Sequence, residues 1–268
     1  MNNTVPTSSS SGKLRYVIFL GVTASLGGLM FGFDLGIITG AGPFLIQHFG
    51  LSDLGLGWAY SSLLFGCVLG SLVAGRLTDR YGRQKMLVLV ALLFVLTSLA
   101  TGLAPSFAWL IVARFAGGLA VGGVSVLSPL YIAEVAPPAI RGRMGTTYQL
   151  SVTAGILISY LINYGLRNVG DWNWRWMFMT GALPSVVFFL ALLRAPETPR
   201  FLFKSGKTRE AQNLLAQLMS PQEAELETAE VTASLQASAG AQGGYDMRRL
   251  RRPLIISFFL GMLIQVSG

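Results

Sequence analysis

Six long apolar runs, separated by polar connections, constrain the fold of this 268-residue chain more than any other feature. Each has about 20 residues, the length that a helix needs to cross roughly 30 Å of hydrocarbon. Charged residues make up only 12% of the chain, about half of their share in soluble domains. The sequence therefore predicts an all-α integral membrane protein and not a soluble enzyme. The runs lie near 15–40, 57–77, 86–104, 107–132, 144–166 and 176–194.

Composition divides the chain into four segments. The first is polar and Ser-rich, which is typical of a disordered tail. The second contains the six spans, the third is a long polar insert, and the fourth is the truncated start of a seventh span. The four segments cover residues 1–12, 13–194, 195–252 and 253–268.

The polar insert contains one clear helix signal. Ser220-Pro221-Gln222-Glu223 has the pattern of a capping box, with proline at the first helical position. We therefore expect a surface helix near 221–237, followed by a Gly-rich linker at 240–244.

The distribution of lysine and arginine predicts the orientation. If the N-terminus is cytoplasmic, seventeen of the 20 basic residues fall in inner segments and only Arg167 and Arg175 in outer loops. Such an excess of positive charge marks the cytoplasmic side of a membrane protein. The basic residues form short clusters and no continuous basic face, which argues against a nucleic-acid partner. The net charge of +8 is therefore explained by membrane topology.

Two ionisable residues lie deep inside apolar runs, Asp34 in the first and Arg114 in the fourth. A charge at the centre of a membrane helix costs roughly 2.5–3.5 kcal/mol on insertion scales, so we predict that the two pair inside the bundle. A nearby arginine favours the charged carboxylate and burial favours the neutral form, so a changing distance would make Asp34 bind or release a proton. Two alternatives stay open. The pair only staples two helices, or Arg114 lies at a helix end and snorkels outward.

Helical spacing suggests further candidates for a binding site. Phe31 shares a helix face with Asp34, and an aromatic ring beside a carboxylate could stack on a sugar ring. Gln149, Val152 and Ile156 lie at i, i+3 and i+7 of the fifth run, where an amide could bind a hydroxyl group beside apolar contacts. Ordinary packing of Phe31 and an interhelical hydrogen bond from Gln149 are equally compatible with the sequence.

Five stretches resemble motifs of the sugar porter family of the major facilitator superfamily. This resemblance implies an N-terminal six-helix bundle of two inverted three-helix repeats, with cytoplasmic surface helices and a truncated seventh helix. It also implies a matching second half and alternating access to a sugar held between the halves. The stretches are GGLMFGFD at 27–34, GRLTDRYGRQK at 75–85, RFAGG at 114–118, PLYIAE at 129–134 with RG at 141–142, and PETPR at 196–200.

The same resemblance implies roles for residues inside the membrane. Asp34 matches the carboxylate that proton-coupled members carry, and Arg114 matches its partner. Phe31, Gln149 and Ile156 match positions that contact the sugar. The proton would then be the coupling ion, and no metal or other cofactor is implied.

Two further sets of residues follow from the resemblance. Gln265 matches the second of two amides in helix seven, while Ile264 replaces the first. The charges at the inner helix ends would form a cytoplasmic latch in the outward-open state. This latch comprises Gly75, Asp79, Arg80, Gly82, Arg83, Glu134, Arg141, Glu197 and Arg200.

The sequence thus predicts a proton-coupled monosaccharide symporter, for a hexose or a pentose, in a plasma or bacterial inner membrane. A facilitative carrier of sugars or of a cyclitol such as inositol is an alternative in which Asp34 is structural. A non-transporting sugar sensor is a second alternative. Six helices enclose only half of a central site, so we expect this chain to be inactive without the missing C-terminal half-bundle.

Overall fold

The computed structural model describes residues 7–240, 251, 255–257, 259, 260 and 263, and these residues are mainly helical. The chain divides into two compact units, Met1–Ala224 and Glu225–Gly268. The helices are α1 (Thr7–Phe49), α2 (Asp53–Tyr81), α3 (Arg83–Gly102), α4 (Phe107–Val135), α5 (Pro138–Leu166), α6 (Asn173–Thr180), α7 (Ala182–Leu192), α8 (Pro199–Lys204), α9 (Thr208–Leu218) and α10 (Pro221–Gly240).

Within the described residues, six segments are long and apolar enough to span a membrane, which is the predicted number. Helices α1 to α5 each form one span, and α6 with α7 forms the sixth. Serine caps begin two of them. The Ser52 hydroxyl accepts the Gly55 N–H at 3.3 Å before α2, and the Ser106 hydroxyl accepts the Trp109 N–H at 3.3 Å before α4. Gly82, with φ at 101°, makes the tight turn between α2 and α3.

Glycines allow two helix pairs to pack closely. A methyl group added to Gly32 of α1 would overlap the backbone of α5 at Val152. A methyl group added to Gly66 of α2 or Gly118 of α4 would overlap the backbone of the facing helix. Small residues at such contacts are the usual device for close packing in lipid. The pairs α1–α5 and α4–α2 occupy equivalent places in the two repeats, α1–α3 and α4–α7.

Helix α9, for which the sequence pattern gave no bounds, joins the main core. The side chain of Lys13 on α1 donates a hydrogen bond to the carbonyl of Met219, at the end of α9, at 3.0 Å. A cation at a helix C-terminus is favourable because it meets unpaired carbonyl groups. One face of α9 is buried, and it consists of Ala211, Leu214, Leu215 and Leu218.

The helix boundaries correct the prediction in three places. Helix α1 begins at Thr7, so residues 7–12 are helical and not a disordered tail. The same helix continues to Phe49, because residues 41–49 are mostly apolar and Ala41 and Leu45 are buried in the core. The sixth span begins at Asn173, earlier than predicted, and it divides at Gly181 into α6 and α7.

The predicted capping box is present at the start of α10. The Ser220 N–H donates to Glu223 Oε2 at 2.9 Å, and the Glu223 N–H donates to Ser220 Oγ at 3.4 Å. The Ser220 hydroxyl also donates to Glu223 Oε2, at 2.6 Å, and this hydrogen bond, with that from the Ser220 N–H, lowers the pKa of Glu223. Positions 241–244 of the predicted linker lie outside the described residues. Of the predicted seventh span, residues 255–257, 259, 260 and 263 are described, and they are helical.

Candidate functional site

The two charges inside the membrane spans contact each other. Nη1 of Arg114 on α4 lies 2.7 Å from Oδ1 of Asp34 on α1. The Arg114 side chain is 2% exposed and that of Asp34 is 20% exposed. Arg114 therefore points into the bundle and does not snorkel to the membrane surface.

The residues around this pair use only part of its hydrogen-bonding capacity. The guanidinium carbon of Arg114 lies 5.5 Å from the centre of the Phe178 ring, which adds a cation–π contact. Among the described residues, Asp34 Oδ2 and the Nε and Nη2 atoms of Arg114 are buried without a hydrogen-bond partner. Buried polar atoms of native proteins nearly always have partners, protein groups or water, so these three atoms are the ones for which a partner remains to be found.

A small cavity adjoins the pair. Its volume is about 20 Å³. Helices α1, α3, α4, α6 and α7 all contribute to its wall, so it lies where the two repeats meet. Thr97 and Thr101 of α3 and Ser185 of α7 supply hydroxyl groups to the lining, and Phe33 and Phe178 supply aromatic rings.

A second cluster of charges surrounds Arg83, the first residue of α3. Its Nε atom lies 3.0 Å from Glu134 Oε2, and its Nη2 atom lies 3.2 Å from Asp79 Oδ1. Its Nη1 atom donates to the Thr78 carbonyl at 3.3 Å. The Thr198 hydroxyl donates to Glu134 from the opposite direction. Arg83 is 4% exposed and the Glu134 side chain is 8% exposed, so the centre of this cluster is buried and well hydrogen-bonded, whereas Asp79 at its edge is exposed.

Glu197 joins the same cluster by capping α3. Its Oε1 atom accepts the backbone N–H groups of Arg83 at 2.9 Å, Gln84 at 3.2 Å and Thr198 at 2.9 Å. The first N–H groups of a helix have no partner within the helix, and they carry partial positive charge. Gly82 is required beside this cap for two reasons, because its φ is positive and a side chain there would overlap the Glu197 carboxylate.

The other members of the predicted latch lie outside this core. Arg200 is exposed and forms no salt bridge with the side chains that the structure describes. Arg141 donates from Nε to a backbone carbonyl at 3.2 Å. Arg80 is exposed and lies 5.4 Å from the Tyr81 ring. Gly75 has open space around its α-carbon, so no close contact demands a glycine there.

Comparison with known proteins identifies the family. The family model described as "Sugar (and other) transporter" matches residues 20–268. This chain belongs to that family. It is 40% identical over 271 residues to the arabinose-proton symporter of Bacillus subtilis strain 168, covering 98% of this chain and 58% of the relative. It is 37% identical over 256 residues to the D-xylose transporter of Levilactobacillus brevis, covering 94% and 55%.

Solved structures agree with this assignment. The chain matches the proton:xylose symporter XylE bound to 6-bromo-6-deoxy-D-glucose with a TM-score of 0.81 at 30% identity, covering 86% of this chain and 55% of that one. It matches XylE from E. coli in a partially occluded inward-open conformation with a TM-score of 0.79. This family member is therefore a major facilitator six-helix bundle of two inverted repeats. It spans about half the length of the curated relatives that it matches.

The predicted sugar contacts of this family member occupy different environments. On α5, Gln149 is exposed and Ile156 is half-buried. Val152 is buried, and its backbone lies where α5 crosses α1 at Gly32. Gln265 lies outside the described residues.

The sugar contact of Phe31 stays a prediction, and other aromatic residues line the cavity beside the ion pair. Phe31 is half-buried against the main core and does not line the cavity, whereas Phe33 and Phe178 do. Sequence reasoning also missed the hydroxyl groups of α3. The four-residue spacing of Thr97 and Thr101 in an apolar span was the available signal, because such residues share one helix face.

Proposed function

We propose that this family member, completed by a second half-bundle, is a secondary-active transporter that couples monosaccharide uptake to protons. The buried Asp34–Arg114 pair carries this proposal. Charges are rare inside membrane bundles because they are expensive, and proton relays are among the functions that retain them. The names of three relatives also support proton-coupled monosaccharide transport, since two are arabinose-proton symporters and one is a D-xylose transporter.

In the proposed cycle, Asp34 is the proton carrier. Its carboxylate accepts a proton from the outer solution, and the neutral carboxyl group then lacks the ionic attraction to Arg114. When the proton leaves to the inside, the ionic contact forms again. The pair joins α1 to α4, which begin the two repeats, so its loss changes how the repeats contact each other. Proton binding and helix movement are thereby linked.

We further propose that the Arg83 cluster is the latch of the cytoplasmic side. The excess of basic residues in the segments assigned to that side supports this orientation. The cluster connects α2, α3 and α4 with the segment before α8 through Asp79, Glu134 and Thr198. Contacts of this kind hold one arrangement of helices, and they break when the half-bundles rock.

The test is a chimera in which the sequence after Gly268 comes from the Bacillus subtilis arabinose-proton symporter, reconstituted in liposomes. We expect an inward proton gradient to drive accumulation of labelled arabinose. Asp34→Asn should abolish accumulation while sugar exchange continues. Asp53→Asn, which alters an exposed acid at the start of α2, is the matched control and should accumulate normally.

Unchanged accumulation in Asp34→Asn would contradict the coupling role. It would favour the facilitative carrier of sugars or a cyclitol, with the pair acting as a staple between helices. We also expect vesicles that contain only the 268-residue chain to take up no labelled arabinose, because half a central site is missing. Uptake above that of empty vesicles contradicts this second expectation.

A further inference from the structure

The cavity behind the Asp34–Arg114 pair has the size of a hydration site. Its volume is about 20 Å³. A polar cavity of roughly 10–15 Å³ already accommodates a water molecule, whereas a sugar needs far more space. Thr97 and Ser98 of α3 add hydroxyl groups to the wall. The cavity therefore has a mixed wall with several polar groups, and it has room for one water molecule.

Both side chains of the pair line this space, and three of their hydrogen-bonding atoms are unused. Asp34 Oδ2 and the Nε and Nη2 atoms of Arg114 are buried and have no partner within the described part of the chain. Arg114 is 2% exposed, so bulk water does not satisfy these atoms. One acceptor and two donors are the set that a bridging water molecule can satisfy.

We propose that this cavity binds one water molecule, which donates to Asp34 Oδ2 and accepts from the Arg114 guanidinium group. The second hydrogen of the water goes to the Thr97 hydroxyl. That hydroxyl donates its own hydrogen to the Leu93 carbonyl at 2.8 Å, and its lone pairs stay free to accept. The water links α1, α3 and α4, and hence both repeats. It gives the carboxylate a partner other than Arg114, and the site exists whether or not the chain transports a sugar.

X-ray radiolytic footprinting of the chain in lipid nanodiscs tests this assignment. Radicals formed from a bound water oxidise the side chains beside it, and mass spectrometry measures each rate. Two pairs of buried residues of the same type allow the comparison. Met30 lines the cavity and Met177 does not, and Phe178 lines it and Phe188 does not. We expect oxidation of the cavity member on the order of tenfold faster than its counterpart, since only the cavity holds water. The measured quantity is the oxidation rate of the cavity residue divided by that of its counterpart. A ratio near one in both pairs overturns the proposal.

Two variants locate the source of the radicals. A methyl group added to Gly117 would lie 3.5 Å from Thr97 Oγ1, so Gly117→Ala fills cavity space without displacing a neighbour. Thr97→Val removes the accepting hydroxyl at similar shape. Both should lower the ratio towards one. Gly165→Ala, whose added methyl group meets nothing within 4 Å, should keep the original ratio. A ratio that is unchanged in both cavity variants overturns the assignment.

Discussion

The two buried charge clusters of this bundle are satisfied to different extents. Arg83 engages Glu134, Asp79 and the Thr78 carbonyl, using three of its nitrogen atoms. Glu134 receives a further hydrogen bond from Thr198. A rearrangement that separates Arg83 from Glu134 would leave both buried charges without their partner, so this cluster favours a single arrangement of its helices.

The Asp34–Arg114 pair has a single ionic contact, at 2.7 Å. Three of its other polar atoms are buried without a partner among the described side chains. Such a pair loses less when its members separate, and a water-sized cavity lies beside it. The comparison teaches that burial of a charge is not enough to indicate its role. The number of satisfied donors and acceptors distinguishes a cluster that fixes one arrangement of helices from an ion pair whose contact can break.

The largest effect should come from breaking the Arg83 cluster. Glu134→Ala leaves Arg83 buried without its main partner, and we expect a loss of about 3–5 kcal/mol in the free energy of unfolding. Urea unfolding in detergent, followed by tryptophan fluorescence, measures it. Glu210→Ala removes one partner of an exposed ion pair with Lys207 and should cost about 0–1 kcal/mol. Equal losses in the two variants would contradict the structural role of the cluster.

Replacing each arginine by lysine sharpens the comparison. Lysine has no forked guanidinium group and cannot reach three acceptors at once, so Arg83→Lys should lose about 3 kcal/mol. Arg114→Lys keeps a positive charge for the single contact with Asp34, and we expect a loss of about 1 kcal/mol. The same unfolding measurement ranks the two variants. The reverse order would show that the Asp34–Arg114 pair is the more tightly constrained.

The helix cap of the inner cluster predicts a smaller effect. Gly82→Ala forces a positive φ on alanine and brings its methyl group against the Glu197 carboxylate, so we expect a loss of about 1–3 kcal/mol. Gly75→Ala is the matched control in the same motif. It lies in α2 with open space around it and should gain about 0.5–1 kcal/mol. A harmless Gly82→Ala variant would show that the turn does not constrain the cluster.

The smallest effect concerns an exposed carboxylate in the capping box of α10. Hydrogen bonds from Ser220 lower the pKa of Glu223, so its contribution to stability is present above the unfolded pKa and is lost as the pH falls through the folded pKa. Titration of the Glu223 carboxyl carbon by NMR should show this lowered midpoint. Ser220→Ala should raise it, whereas Ser205→Ala, at the end of α8, should leave it unchanged.

The ion pair inside the membrane spans was predictable, because each of its two charges had few possible partners. Asp34 and Arg114 are an acid and a base deep inside apolar runs, so their contact followed from the cost of burying either one unpaired. The inner cluster was less predictable. Arg200 shares a motif with Glu197 but is exposed, because adjacent motif residues point in different directions along the chain. Glu197 caps α3 at Arg83, which is 114 positions earlier in the chain, and no local sequence pattern predicts this contact.

The sequence by itself determined the six spans and the capping box of α10, because hydropathy and cap chemistry act over a few neighbouring residues. Only the tertiary structure decided that Phe33 and not Phe31 lines the cavity, and that Val152 is buried at the crossing of α1 and α5. These features depend on how each helix is rotated about its axis. Close packing between helices sets that rotation, and the packing exists only in the assembled bundle.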